Sequence, residues 1–186
     1  MKKLLSILAV LAMFLVGCAT STVTVRDNTF IAEGSPSMRV RVDSALVEQP
    51  MFVSSGLVTG GDFAGDLTTT VYPFVALQQP IERAVLITFA DLDRVSTGRW
   101  TNAGGGADKD VDGYTMRVWA GGFRNSLMEK EAIKRGWKLS DSYSCVYFKR
   151  IVNPQRMMNI IYIERGTTVD MEALEARARK AFKIER

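Results

Sequence analysis

The pattern of hydrophobic and polar positions marks out most of the chain's elements. Met38-Arg-Val-Arg-Val-Asp43 alternates, with Met38, Val40 and Val42 on one side and Arg39, Arg41 and Asp43 on the other. That period of two is the mark of a half-buried strand. Ala84-Val-Leu-Ile-Thr-Phe-Ala90 is apolar on both faces and reads as a central strand covered on both sides. Tyr114–Ala120 alternates again, and Gly121-Gly122 end it. Strands are also predicted over Tyr143–Val152 and Met157–Arg165, joined by a tight turn at Asn153-Pro154. Two helices are predicted. Asn125 or Ser126 caps the first, Ser126-Leu-Met-Glu129 has capping-box spacing, and Gly136 ends it. The second follows Thr167-Thr-Val-Asp170 and sets Met171, Leu174, Ala178, Ala181 and Phe182 on one face. Its early Glu172 and Glu175 and late Arg177, Arg179 and Lys180 suit the helix dipole.

Three stretches are less regular. Residues 53–66 are dominated by glycine, serine and threonine and read as a loop or a glycine-weakened ribbon. Leu67–Leu77 is β-branched and aromatic but holds Pro73, which limits it to an edge strand. Residues 96–113 have no element pattern and five glycines; a loop that long is usually functional or mobile. The order after residue 112 is β-α-β-β-α, with the first helix as a right-handed crossover between parallel strands. This resembles a ferredoxin-like split βαβ arrangement that lacks its last strand, for which 84–91 can stand in. The fold class expected is therefore α+β: one mixed, mainly antiparallel sheet of five or six strands with both helices on one face. It occupies a single domain, 38–186. Residues 18–37 are mostly small and polar and read as a tether, in which Val23 and Val25 add no more than a short edge strand.

The amino-terminal stretch follows a different rule. Lys2 and Lys3 precede Leu4–Val16, 13 residues without a charge. This is the pattern of a secretory leader, and it falls short of the about 20 apolar residues that span a bilayer. Leu15-Val16-Gly17-Cys18 resembles the lipobox of bacterial lipoproteins. The resemblance covers residues 1–18 only. It implies a signal peptide over 1–17, cleavage before Cys18, and a diacylglyceryl group on the Cys18 sulfur. Two acyl chains hold a protein stably to a membrane where one does not. Ala19 stands where an aspartate would favour the inner membrane in that family. The resemblance thus implies export to the cell envelope and an outer-membrane anchor facing the periplasm.

Composition changes this picture in a few places. The leader holds two of the 24 lysines and arginines and none of the 20 acids, so residues 18–186 carry 22 cations against 20 anions. That balance gives no argument for nucleic acid. The 169 remaining residues suffice for one domain that buries roughly 70% of its unfolded surface. With Cys18 assigned to lipid, Cys145 has no intrachain partner; a buried, inert thiol is the simpler reading beside a reactive or intermolecular one. The chain has no histidine, which removes the commonest zinc ligand and the usual base of Ser-His and Cys-His catalysis.

The candidate chemistry is confined to a few clusters. Asp108-Lys-Asp110-Val-Asp112-Gly113 resembles the first half of an EF-hand-type calcium loop, with carboxylates at positions 1, 3 and 5 and glycine at 6. Position 12 falls on Trp119, where the motif needs a bidentate glutamate. A solvated acidic turn into the next strand is the simpler reading. Gly60-Gly61 and Gly104-Gly105-Gly106 lack the surroundings of a phosphate-binding loop. Arg94, Arg99, Trp100, Lys109 and Arg117 gather cationic and aromatic groups around the long loop, either as a rim in solvent or as contacts for an anion, glycan or lipid headgroup. No spacing joins a nucleophile to a base. The expected function is that of a lipid-anchored envelope protein whose body braces or binds a protein partner. A calcium- or small-ligand-binding lipoprotein using loop 96–113 is the alternative, and a histidine-free hydrolase comes last.

Overall fold

The computed structural model describes residues 22–34, 36–60, 63–93, 99–123 and 126–185. Those residues form twelve strands and two short helices. The strands are β1 (Thr22–Arg26), β2 (Thr29–Glu33), β3 (Met38–Val42), β4 (Val47–Glu48), β5 (Phe52–Gly60), β6 (Phe63–Val75), β7 (Arg83–Leu92), β8 (Ala107–Val111), β9 (Tyr114–Gly122), β10 (Tyr143–Asn153), β11 (Arg156–Arg165) and β12 (Phe182–Glu185). The helices are α1 (Ser126–Lys134), between β9 and β10, and α2 (Met171–Ala181), before β12. A small sheet runs β1-β2-β3-β12. A large sheet runs β4-β6-β7-β11-β10-β9-β8, with β5 also paired to β6. Every pairing is antiparallel.

This is a β-rich, two-sheet fold, and it corrects the α+β expectation of one mixed sheet with both helices on one face. The decisive element is α1. A crossover would make β9 and β10 parallel, yet they pair antiparallel, with Tyr147 opposite Trp119 and Lys149 opposite Arg117. The Phe123 N–H donates to the Tyr143 carbonyl at 2.9 Å. The chain between them therefore leaves and rejoins the sheet at one point. An excursion closed at its base returns the chain antiparallel, so no split βαβ unit exists.

Alternation along the strands then sorts side chains to the two faces of the large sheet. On its inner face Phe74, Ile87, Phe148, Met158, Ile160 and Tyr162 meet Phe30, Met38, Val40 and Val42 of the small sheet. The predicted alternation of β3 holds, with Arg39 and Arg41 exposed. Leu174 and Ala178 of α2 are buried in this same layer. Asp170 caps α2, its carboxylate accepting from the Ala173 N–H at 2.9 Å. The outer face carries a second cluster, Phe52, Val71, Leu86, Cys145, Ile161 and Ile163, with Phe123 and Trp137 against it. Trp137 leads out of α1, whose Ala132 is buried. The two helices thus lie on opposite faces of one sheet.

Two further stretches differ from expectation for local reasons, and a third takes one of its two expected forms. Within the expected tether, Thr22–Glu33 is a hairpin whose Phe30 and Ala32 are buried. Its turn residues Asp27 and Asn28 take φ of 49° and 54°, the tight hairpin geometry that Asn and Asp tolerate. Residues 53–66, read as a loop or a glycine-weakened ribbon, take the second form, as most of the β5–β6 hairpin. Pro73 sits in an interior strand, β6, which pairs β7 along its other side. It falls where one partner gives way to another, since β5 pairing ends at Val71 and β4 pairing starts at Phe74. Its carbonyl accepts from Gln49 N at 2.8 Å on that side, so its missing N–H also faces the gap and breaks no ladder bond.

Candidate functional site

The three aspartates are brought close along the chain but are not aimed at one point. Asp108 and Asp110 lie in β8, and Asp112 with Gly113 forms the turn into β9 at φ 53° and 84°. Asp-Gly is a strong signal for such a hairpin turn, and it accounts for the motif. Each carboxylate has its own partner. Asp108 pairs with Arg117 at 3.2 Å, Asp110 accepts from the Gly113 N–H at 3.2 Å, and Asp112 accepts from the Ile184 N–H of β12 at 2.8 Å. Among the described residues no group of three or more histidine, cysteine, aspartate or glutamate side chains converges to hold a metal. Asp112 therefore joins the small sheet to the large one. Asp112→Ala is expected to cost about 1–2 kcal/mol, from a lost hydrogen bond and a strained left-handed residue. Thermal melts in calcium and in chelator should drop equally; a drop seen only in calcium would restore the calcium reading.

The expected basic cluster is divided by the sheet. Lys109 points to the inner side and meets Glu175 of α2 at 2.5 Å. Arg117 points to the outer side. Arg99 is exposed, and Arg94 lies outside the described residues. The Trp100 N–H donates to the Pro154 carbonyl at 2.7 Å, which pins the start of the 99–106 loop to the β10–β11 hairpin. Cys145 is fully buried, and desolvation pushes its thiol up to about 12. That fits a packing role.

The outer face carries two concavities. The larger, about 700 Å³, lies between α1 with the segment after it and the sheet. Val75, Ala84, Leu86 and Ile163 form its floor, and Ala132, Ile133, Trp137 and Leu139 its wall. The wall is fixed to the sheet edge. The Ser140 N–H donates to the Tyr143 hydroxyl at 2.9 Å, which donates in turn to the Ile81 carbonyl at 3.0 Å. The Ile81 N–H donates to the Lys138 carbonyl at 3.0 Å. Arg135 lies over the rings of Phe52 and Trp137, 5.2 and 5.4 Å from their centroids, and pairs with Glu131 at 3.0 Å. Its rim mixes exposed apolar and acidic groups: Ile133 is 72% exposed, Leu139 is 38% exposed, and Glu129 and Asp141 stand beside them. A sequence signal for this groove lies in the first helix, where Leu127, Met128, Ala132 and Ile133 cover too broad an arc for one face and leave Ile133 over for something besides the core.

The second concavity, about 440 Å³, lies between the 101–103 stretch and β8–β10, lined by Asp108, Thr115, Arg117, Lys149 and Arg150. Trp119 packs against Tyr147 one row away, the rings tilted at 49° with centroids 5.5 Å apart. The ring lies across Gly121, where an added Cβ would stand 2.6 Å from its edge; only glycine leaves that space. The described helices include none long and apolar enough to cross a membrane. Comparison with protein-family models, curated proteins and solved structures finds no match.

Proposed function

We propose that this chain is an exported lipoprotein, moored to the outer membrane by lipid on Cys18 and facing the periplasm, whose body holds another envelope protein and performs no catalysis. The observation that carries the binding reading is the apolar groove between α1 and the large sheet, with Ile133 and Leu139 on its rim. Exposed large apolar residues around a concavity mark interaction sites. Glu129 and Asp141 on the rim favour an apolar segment flanked by basic residues. The Tyr143 hydroxyl in the groove already donates and accepts within the protein, which favours holding over chemistry. Cys18 lies outside the described residues, and the anchor rests on the Met1–Cys18 pattern alone.

Two measurements test the proposal. Mass spectrometry of protein from its native cells should find a terminus at residue 18 bearing diacylglycerol; an intact leader or an unmodified thiol removes the anchor. A photo-crosslinking residue at Ile133 should capture one recurrent protein in intact cells, and charge reversal of Glu129 and Asp141 to lysine should abolish the adduct. The same probe at Val169, which is 93% exposed on the loop before α2, should capture none. Equal capture at both positions, or labelling of lipid alone at Ile133, defeats the protein-partner reading.

A further inference from the structure

The polar row across the outer face is arranged at a cost that the fold does not explain. In register, Asp108 lies opposite Arg117, Arg117 opposite Lys149, Lys149 opposite Asn159 and Asn159 opposite Thr88. Like charges directly across neighbouring strands are destabilising, so the Arg117–Lys149 pair works against the sheet. Arg117 is partly compensated: it reaches Asp108 at 3.2 Å and donates to the Gly104 carbonyl at 3.1 Å. Lys149 has no carboxylate partner among the described residues. Its ammonium lies only over the ring of Tyr147, at 5.1 Å.

The direction of Lys149 is the second observation. Asn159, its neighbour on β11, is 8% exposed, donates to the Thr88 hydroxyl at 2.9 Å, and leaves its own side-chain carbonyl buried without a donor. A buried acceptor left unpaired costs about 1–3 kcal/mol, and an ammonium one strand away is the obvious donor. Lys149 does not serve it. Its Nζ reaches the other way, toward Gly104, where an added Cβ would stand 3.5 Å from it. Burial also pulls the lysine's pKa down, as expected of a cation that lacks a counter-charge.

We infer that the groove between the 101–103 stretch and β8–β10 is a binding site for a small hydroxylated molecule carrying a phosphate or carboxylate group, with Lys149 as the cation that holds the anion. Arg117 supplies the fixed positive field beside it, and Thr101, Asn102 and Thr115 line the groove to meet hydroxyls. Its volume of about 440 Å³ fits a ligand of metabolite size. The site is separate from the apolar groove and needs no protein partner.

Calorimetric titration of the detergent-extracted protein tests this with three probes at constant ionic strength: glycerol 3-phosphate, gluconate and glycerol. At least one anion should bind and glycerol should not. Whichever anion binds identifies the group. Lys149→Met should weaken that binding at least tenfold while melting no lower than the wild type, because a like-charge neighbour has gone. Arg117→Gln should weaken it at least threefold and serves as the second variant if Lys149→Met does not fold. Binding of neither anion, equal binding of glycerol, or full affinity in either folded variant overturns the site.

Discussion

Phe30→Ala is expected to lower the free energy of unfolding by about 3–5 kcal/mol, the range for deleting a fully buried phenylalanine. Phe30 has no exposed surface and packs edge-on to Tyr72 at 5.1 Å and against Phe89 at 6.0 Å. Aromatic contacts of that kind add about 0.5–1.5 kcal/mol beyond area alone, so the upper part of the range applies. The residue lies within the stretch whose composition reads as a tether, and the substitution separates the two descriptions sharply. A tether loses nothing when an aromatic is trimmed. A strand that roofs the core loses a large part of a stability that is typically about 5–15 kcal/mol in total. Urea denaturation decides it, with exposed Thr24→Ala of β1 as the control, expected within about 0.5 kcal/mol of the parent. An equally small effect for Phe30→Ala would return residues 22–33 to the role of a linker.

Leu174→Ala should cost about 2–5 kcal/mol, because Leu174 of α2 is fully buried between the two sheets. Ile133→Ala of α1 should change stability by no more than about 0.5 kcal/mol, since that side chain is 72% exposed at the groove rim. The contrast tests the placement of the helices on opposite faces. Helices packed side by side on one face would each bury an apolar stripe, and both truncations would then be expensive. If Ile133→Ala proves as costly as Leu174→Ala, the groove is core and the proposed docking site disappears.

Much of the strand content was legible because period-two alternation reports burial directly. β3 and β9 follow from it, whereas β7 follows from an unbroken apolar run and the α2 stripe from helical spacing. What escaped was pairing. The sequence around Phe123–Tyr143 specifies a short helix but says nothing of where the chain rejoins the sheet. A single backbone hydrogen bond between the two ends of the excursion decides between crossover and hairpin. Pro73 misled for a similar reason, since its cost depends on which partner strand faces its nitrogen. Thr22–Glu33 was hidden by small polar residues, although Phe30 and the adjoining Asp27-Asn28 pair carried the signal. At the site, Asp-Gly within the acidic run served a turn, and Arg117 was picked out without its neighbour. Lys149 carries no motif of its own; only the register of β9 against β10 sets the two cations side by side.

The small sheet has a consequence for the order in which the molecule can be made. β12 seals it by pairing Phe182 with Val42, residues separated by 140 positions (182 less 42). Ile184 also supplies the amide that Asp112 receives. Contacts so distant in sequence form late and slowly, so β1, β2 and β3 must wait on the intervening strands before β12 can close their sheet. Until that latch is in place, the free edge of β3 is open to any other strand that can reach it.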